Sequence, residues 1–209
     1  MNYLFKGNTL KLKKKHKDKK REIIKKYNLT ANFYDDRYSK IQEEKYFLLL
    51  KDFELKDKII LDAGTGTGIL FFYLIKKKKV KNSLKFSFVG IDISIKMLTI
   101  FKEKLKKLNH NNTNLILADL EHLPIRQNVF NVLFSLTALQ NLSDITKGII
   151  ELFRVGKNSA FYNFSILNKN LNLNEIESFL STKSELFTAI KKHNLEDIIF
   201  QGKIIKNLL

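Results

Sequence analysis

The sequence predicts an α/β fold, a doubly wound sheet that is mostly parallel, with helices on both faces. Two observations carry this. From residue 55 onward, short apolar runs of strand character alternate with longer amphipathic stretches of helical spacing. After Ile166 the alternation ends, and one helical stretch precedes two strand-like runs that read as a closing antiparallel hairpin.

The elements follow in order. Residues 1–28 form a basic N-terminal arm: between Lys6 and Lys26 lie eleven Lys/Arg against two acids, Asp18 and Glu22. Like charges this dense repel, so the arm reads as solvated or partly helical. Its functional reading is phosphate neutralisation on a nucleic acid, and its bland reading is a solubilising tail. It lacks the strong apolar face of a membrane-surface helix. The formal net charge is +17, with only four arginines among 38 basic residues. Abundant Lys, Asn, Ile and Phe fit an AT-rich genome, so part of that charge is compositional. Aromatics in the arm are few (Tyr3, Phe5, Tyr27), which gives base stacking little support.

Residues 29–209 read as one domain. Tyr34–Lys51 has helical spacing and should pack at the ligand-binding end of the sheet. Strands are expected at Lys58–Asp62, Lys85–Asp92, Asn114–Ala118, Asn131–Ser135 and Ala160–Ile166. Helices are expected at Thr67–Lys79, Ser94–Lys107, Asp144–Arg154 and Asn174–Thr182. The hairpin comprises Glu185–Ile190 and Asp197–Ile205, joined by His193-Asn194-Leu195-Glu196.

Several functions are excluded or disfavoured. The chain has no cysteine, so disulfides, cysteine-ligated zinc and a cysteine nucleophile are ruled out. His110, His122 and His193 show no ligand spacing and His16 belongs to the arm, so no metal site is expected. The longest apolar stretch, Ile69–Ile75, is far short of the ~20 residues of a membrane helix. With no apolar signal region in the lysine-rich N-terminus, a cytoplasmic protein without membrane association is expected.

Residues 61–68 read LDAGTGTG directly behind the first strand. The glycine spacing, Gly64-x-Gly66-x-Gly68, is one residue short of the dinucleotide pattern G-x-G-x-x-G, and the Lys-Ser/Thr ending of a P-loop is missing. Asp62 at the mouth of such a turn would repel a pyrophosphate and welcome a positive amino-acid group. S-adenosyl-L-methionine carries an ammonium and a sulfonium, so it fits the sign. Asp92, followed by Ile93, ends the second strand in VGIDIS, where a carboxylate can accept both ribose hydroxyls of an adenosine. Asp119 follows the third strand in LILADLEHLP and can accept the adenine amino group, with the backbone N–H of Leu120 offered to the ring. Glycine-rich turns occur in many loops. Three acids at three successive strand ends are far harder to obtain by accident.

The motifs LDAGTGTG, FVGIDIS, ADLEHLP and NVLFSLTALQNL, in this order, resemble those of class I S-adenosylmethionine-dependent methyltransferases over residues 30–209. The resemblance implies a Rossmann-like sheet of seven strands with one antiparallel strand in the C-terminal hairpin. It also implies a cofactor lying above Gly64–Gly68 and Ser135–Thr137, with Thr137, Gln140 and Asn141 facing the substrate. The Asn/Asp-Pro-Pro-aromatic element linked to exocyclic amino methylation is absent; that position reads Ser135-Leu136-Thr137-Ala138. Gln140 and Asn141 stand where many small-molecule relatives have His-His, and read either as base-edge contacts or as polar residues at a helix entry.

The stretch YDDRYSKIQEEKY, with Arg37, Ile41 and Gln42, is similar to eukaryotic methyltransferases of guanine N7 in ribosomal RNA, although those carry their basic extension at the C-terminus. That resemblance implies a ring-nitrogen acceptor in rRNA or tRNA, which needs no general base, and a small zinc-binding activator subunit as partner. It also implies Tyr34 and Tyr38 closing over the cofactor with Arg37 pairing its carboxylate; the alternative is core-facing tyrosines and a solvated Arg37. A small-molecule or protein methyltransferase, or a non-catalytic RNA-binding scaffold, are the rival readings.

Overall fold

The computed structural model describes residues 2–50, 54–81, 86–108, 113–167, 173–192 and 195–206. Side chains are described within these ranges except at 2–15 and 77–81. Lys85, His110, the turn residues His193 and Asn194, and the side chains of Tyr3 and Phe5 therefore lie outside the described residues.

Seven strands form one sheet: β1 (Lys58–Ala63), β2 (Phe86–Asp92), β3 (Thr113–Leu117), β4 (Phe130–Leu136), β5 (Gly156–Leu167), β6 (Ser184–Lys191) and β7 (Asp197–Ile204). Their spatial order is β3-β2-β1-β4-β5-β7-β6. Strands β1 to β5 pair in parallel, and β7 runs antiparallel to both β5 and β6. This is the expected seven-stranded arrangement with one antiparallel strand. The order reverses between β1 and β4, so a crevice opens at the carboxyl ends of these two strands.

The strand pleat sorts side chains into two cores. Ile60, Val132 and Phe134 face α2 (Tyr34–Leu50), α3 (Ile69–Lys81) and α4 (Ile95–Lys107), together with Phe71, Phe88 and Phe101. Leu61 and Leu133 turn the other way, toward α5 (Ile145–Val155) and α6 (Leu173–Thr182), with Phe153, Tyr162 and Phe164. Ser94 and Asp144, expected inside their helices, are instead the N-caps. Their side chains accept from the backbone N–H of Met97 at 3.2 Å and Lys147 at 2.9 Å, satisfying donors that the first helical turn leaves orphaned. Among the described residues, no helix is long and apolar enough to cross a membrane.

The basic arm differs most from expectation. It is one helix, α1 (Asn2–Thr30), which passes the expected boundary at residue 28 and leads through a 3₁₀ turn, Ala31–Phe33, into α2. From His16 onward one face of it lies against the sheet's carboxyl edge, while Lys17, Arg21, Lys25 and Lys26 stay exposed. Ser143 Oγ donates to the His16 carbonyl at 3.1 Å, and Lys19 donates to the Leu142 carbonyl. Lys20 Nζ stands 2.6 Å from both Asp119 Oδ2 and Glu121 Oε2. Repulsion along the helix is overcome locally because that edge presents the Asp119 and Glu121 carboxylates and the Leu142 carbonyl to it.

Candidate functional site

The turn between β1 and α3 holds Gly64, Gly66 and Gly68 at φ +82°, +55° and +85°. A Cβ on Gly64 would lie 2.3 Å from that of Ala138, and one on Gly68 would lie 2.4 Å from the Phe101 ring. Sterics and dihedral angle both demand glycine at these two positions. The N–H groups of Gly64 and Thr65 donate to the Ile91 carbonyl at 2.8 and 2.9 Å. Gly66 donates to Asp92 Oδ2 and Ser94 to Asp92 Oδ1, both at 2.8 Å. One carboxylate thus ties the glycine turn to the end of β2. Desolvation raises its pKa, and these backbone donors oppose the rise.

Above this turn lies a partly open cavity. Gly64, Gly66, Asp92 and Ile93 form its floor, with Asp119 and Leu120 at one end and Leu136, Thr137, Ala138 and Asn141 at the other. Tyr34 and three residues of α1, Lys20, Ile23 and Tyr27, complete the lining. Burial works to raise the Asp119 pKa. The Lys20 ammonium and the Glu121 N–H outweigh it and hold the carboxyl below its usual range. Asn141 Nδ2 donates to Tyr27 Oη at 2.9 Å, fixing α1 over the far end.

The structure thus brings nine of the residues singled out from sequence to one cavity: Tyr34, Gly64, Gly66, Asp92, Ile93, Asp119, Leu120, Thr137 and Asn141. Five others stand apart from it. Asp62 is buried beneath the turn, accepts from Thr65 Oγ1 at 2.8 Å, and lines a smaller adjoining recess. Burial, opposed by Thr65 and aided by Asp92, pushes its pKa up to about 7. Gly68 packs on Phe101. Ser135 is fully buried and donates to the Ala63 carbonyl at 2.9 Å, joining β4 to β1. Gln140 donates to the Thr137 carbonyl at 2.7 Å. Arg37 is exposed on α2, with its guanidinium 5.3 Å from the Tyr38 ring centre.

Sequence reading missed a polar network beside Thr137. Lys45 Nζ donates to Thr137 Oγ1 at 2.8 Å and pairs with Asp197 Oδ2 at 2.6 Å. The same carboxylate oxygen accepts from the hydroxyls of Thr137 and Ser165, each at 2.8 Å. Thr137 itself has φ +58°, a strained conformation for a β-branched residue that only surrounding contacts sustain. The signal was present on α2. Gln42, Lys45, Tyr46 and Leu49 follow core-facing i, i+3, i+4, i+7 spacing, and two of the four are polar. Lys20, Ile23 and Tyr27 were similarly hidden, because the arm's charge density masked their shared face.

A family model described as a methyltransferase domain matches residues 54–207. The chain is 29% identical over 151 residues to malonyl-acyl-carrier-protein O-methyltransferase of Marinomonas sp. (strain MWYL1), covering 72% of this chain and 53% of that protein. It spans about half the length of the curated relatives it matches. The solved structure of magnesium protoporphyrin IX methyltransferase from Synechocystis PCC 6803 with bound SAM superposes with a TM-score of 0.69 at 16% identity, over 89% of this chain and 97% of that one. The solved Haloferax volcanii complex with the Trm112 methyltransferase activator gives a TM-score of 0.59 at 12% identity, over 86% of this chain and 97% of that one. These two structural likenesses bear on the fold alone.

Proposed function

The chain belongs to the methyltransferase-domain family, and from that premise we propose that it transfers a methyl group from S-adenosyl-L-methionine. The observation that carries the reading is the cavity at the carboxyl edge, floored by a glycine turn and flanked by Asp92 and Asp119 at successive strand ends. The residues fit such a donor. Asp92 would take the ribose hydroxyls, Asp119 and the Leu120 N–H the adenine, and the glycine turn admits a ligand close to the backbone. When bound, the sulfonium supplies an already activated methyl group. Such a donor would carry its own leaving group, a neutral thioether, so the chain need not activate it. What this chain contributes is alignment of acceptor and donor beneath α1, which is catalysis by proximity and orientation. Thr137 and Asn141 would face the acceptor.

Two acceptor readings have separate support. RNA, methylated at a ring nitrogen such as guanine N7, is supported by the lysines of α1 that remain outside its docked face. A small zinc-binding activator subunit would accompany this reading. A small or carrier-borne acceptor is supported by the curated relatives, named for a malonyl-carrier substrate and for ubiquinone/menaquinone biosynthesis, and by the roof that α1 puts over the cavity. Incubation with tritium-labelled cofactor and, in parallel, total RNA or a malonyl-carrier protein separates them. Label in 7-methylguanosine supports the first, label on the carrier substrate supports the second, and label in neither acceptor counts against both.

A further inference from the structure

Beside the main cavity lies a much smaller recess, and the two share Tyr34, Gly64 and Leu136. Gln42, Asp62, Tyr46 and Thr65 complete its polar lining. Gln42 is 5% exposed, and its Oε1 has no hydrogen-bond partner. A buried amide oxygen left unpaired is costly and calls for an explanation.

The orientation of that amide is fixed by its neighbours. Gln42 Nε2 lies 3.3 Å from Thr137 Oγ1, and the Thr137 hydroxyl proton is committed to Asp197 Oδ2 at 2.8 Å. Thr137 can therefore only accept from Gln42, which leaves the NH₂ end engaged and the oxygen free. The recess that Gln42 lines also presents the Asp62 carboxyl and the rings of Tyr34 and Tyr46. Acceptors and aromatic faces together suit a small cation that carries several donors.

We propose that Gln42 is a cofactor-binding residue, its Oε1 accepting from the ammonium at the amino-acid end of the methyl donor while Asp62 supplies the counter-charge. This rests on the donor reading given above and adds to it a contact from α2. Occupation of the recess by an ammonium satisfies the orphaned oxygen. It also explains why a carboxyl is kept buried at Asp62, since the charge becomes compensated only when ligand is present.

The test is calorimetric, with S-adenosylhomocysteine and 5′-methylthioadenosine, which share the adenosine but differ in the amino-acid end. Losing one hydrogen bond to a charged group predicts that Gln42→Leu weakens S-adenosylhomocysteine roughly 10-fold and leaves methylthioadenosine within about 2-fold. A deaminated S-adenosylhomocysteine should bind the native protein and Gln42→Leu alike. Equal weakening of both adenosyl compounds by Gln42→Leu, or of neither, overturns the proposal while leaving the donor reading intact. Failure of the native protein to bind any of the three overturns the donor reading itself.

Discussion

Lys45 and Asp197 meet from distant parts of the chain, with Nζ and Oδ2 2.6 Å apart and both side chains nearly inaccessible to solvent. The pair anchors α2 to the start of β7 and fixes the Thr137 hydroxyl between them. Removing one member strands a buried charge, which costs about 3–5 kcal/mol. Lys45→Met and Asp197→Asn should each lose stability on that scale. The double variant should lose clearly less than the sum, because no uncompensated charge remains. Urea unfolding of all four proteins checks this; strictly additive losses would mean that the two side chains act independently.

The three glycines of the turn should not respond alike to alanine. Each pays for a left-handed conformation, at about 1–2 kcal/mol. At Gly64 and Gly68 the new methyl also meets Ala138 and the Phe101 ring at 2.3 and 2.4 Å, whereas at Gly66 the nearest atom is on the Tyr34 ring at 3.8 Å. Thermal midpoints should therefore fall furthest for Gly64→Ala and Gly68→Ala and least for Gly66→Ala. A Gly66→Ala loss as large as the other two would count against this account of the turn.

That ranking also shows what sequence could and could not reveal. The alternation of strands and helices, the closing hairpin and the carboxylates Asp92 and Asp119 were legible because each follows from local period or from position at a strand end. The roles of Ser135 and Gln140 were not, since a polar residue just past a strand reads the same whether it faces ligand or ties two strands together. Lys45 and Asp197 are paired by topology alone, and no local pattern joins residues so far apart. The docking of one face of the arm was hidden for a related reason. Its charge density argued for solvation, whereas the acceptors that dock it, Asp119, Glu121 and the Leu142 carbonyl, lie in another part of the chain.

Lys20 should govern how fast ligand enters and leaves the cavity. It bridges Asp119 and Glu121 while only partly buried, so each pair is worth at most about 1 kcal/mol and is weakened by salt. Lys20→Met should therefore raise the dissociation rate of S-adenosylhomocysteine by up to roughly 10-fold, since it loosens α1 over the cavity. Raising the ionic strength should speed release from the native protein and have less effect on the variant. Stopped-flow displacement measures both, and a rate indifferent to salt and to the substitution would show that α1 does not limit exchange.

The buried carboxyl of Asp62 should leave a signature in the pH dependence of stability. Its pKa is pushed up to about 7 in the folded protein, against 3.8 for an ordinary aspartate. Between these values the unfolded chain has released the proton and the native chain still holds it. The native state then binds more protons, so stability falls as pH rises from about 4 to about 7 and this contribution is constant above. Asp92, raised in the same direction, steepens the fall. Asp119 and Glu151 are lowered, so their stabilisation is present above the ordinary carboxylate range and is lost only on further acidification. Asp62→Asn should remove most of the slope, and a bound ammonium should reverse it, making S-adenosylhomocysteine affinity climb through the same interval. Thermal midpoints from pH 5 to pH 8, with and without that ligand, decide the matter. A free protein whose midpoint rises or stays level over that range, or a slope that survives Asp62→Asn, would remove Asp62 from the account.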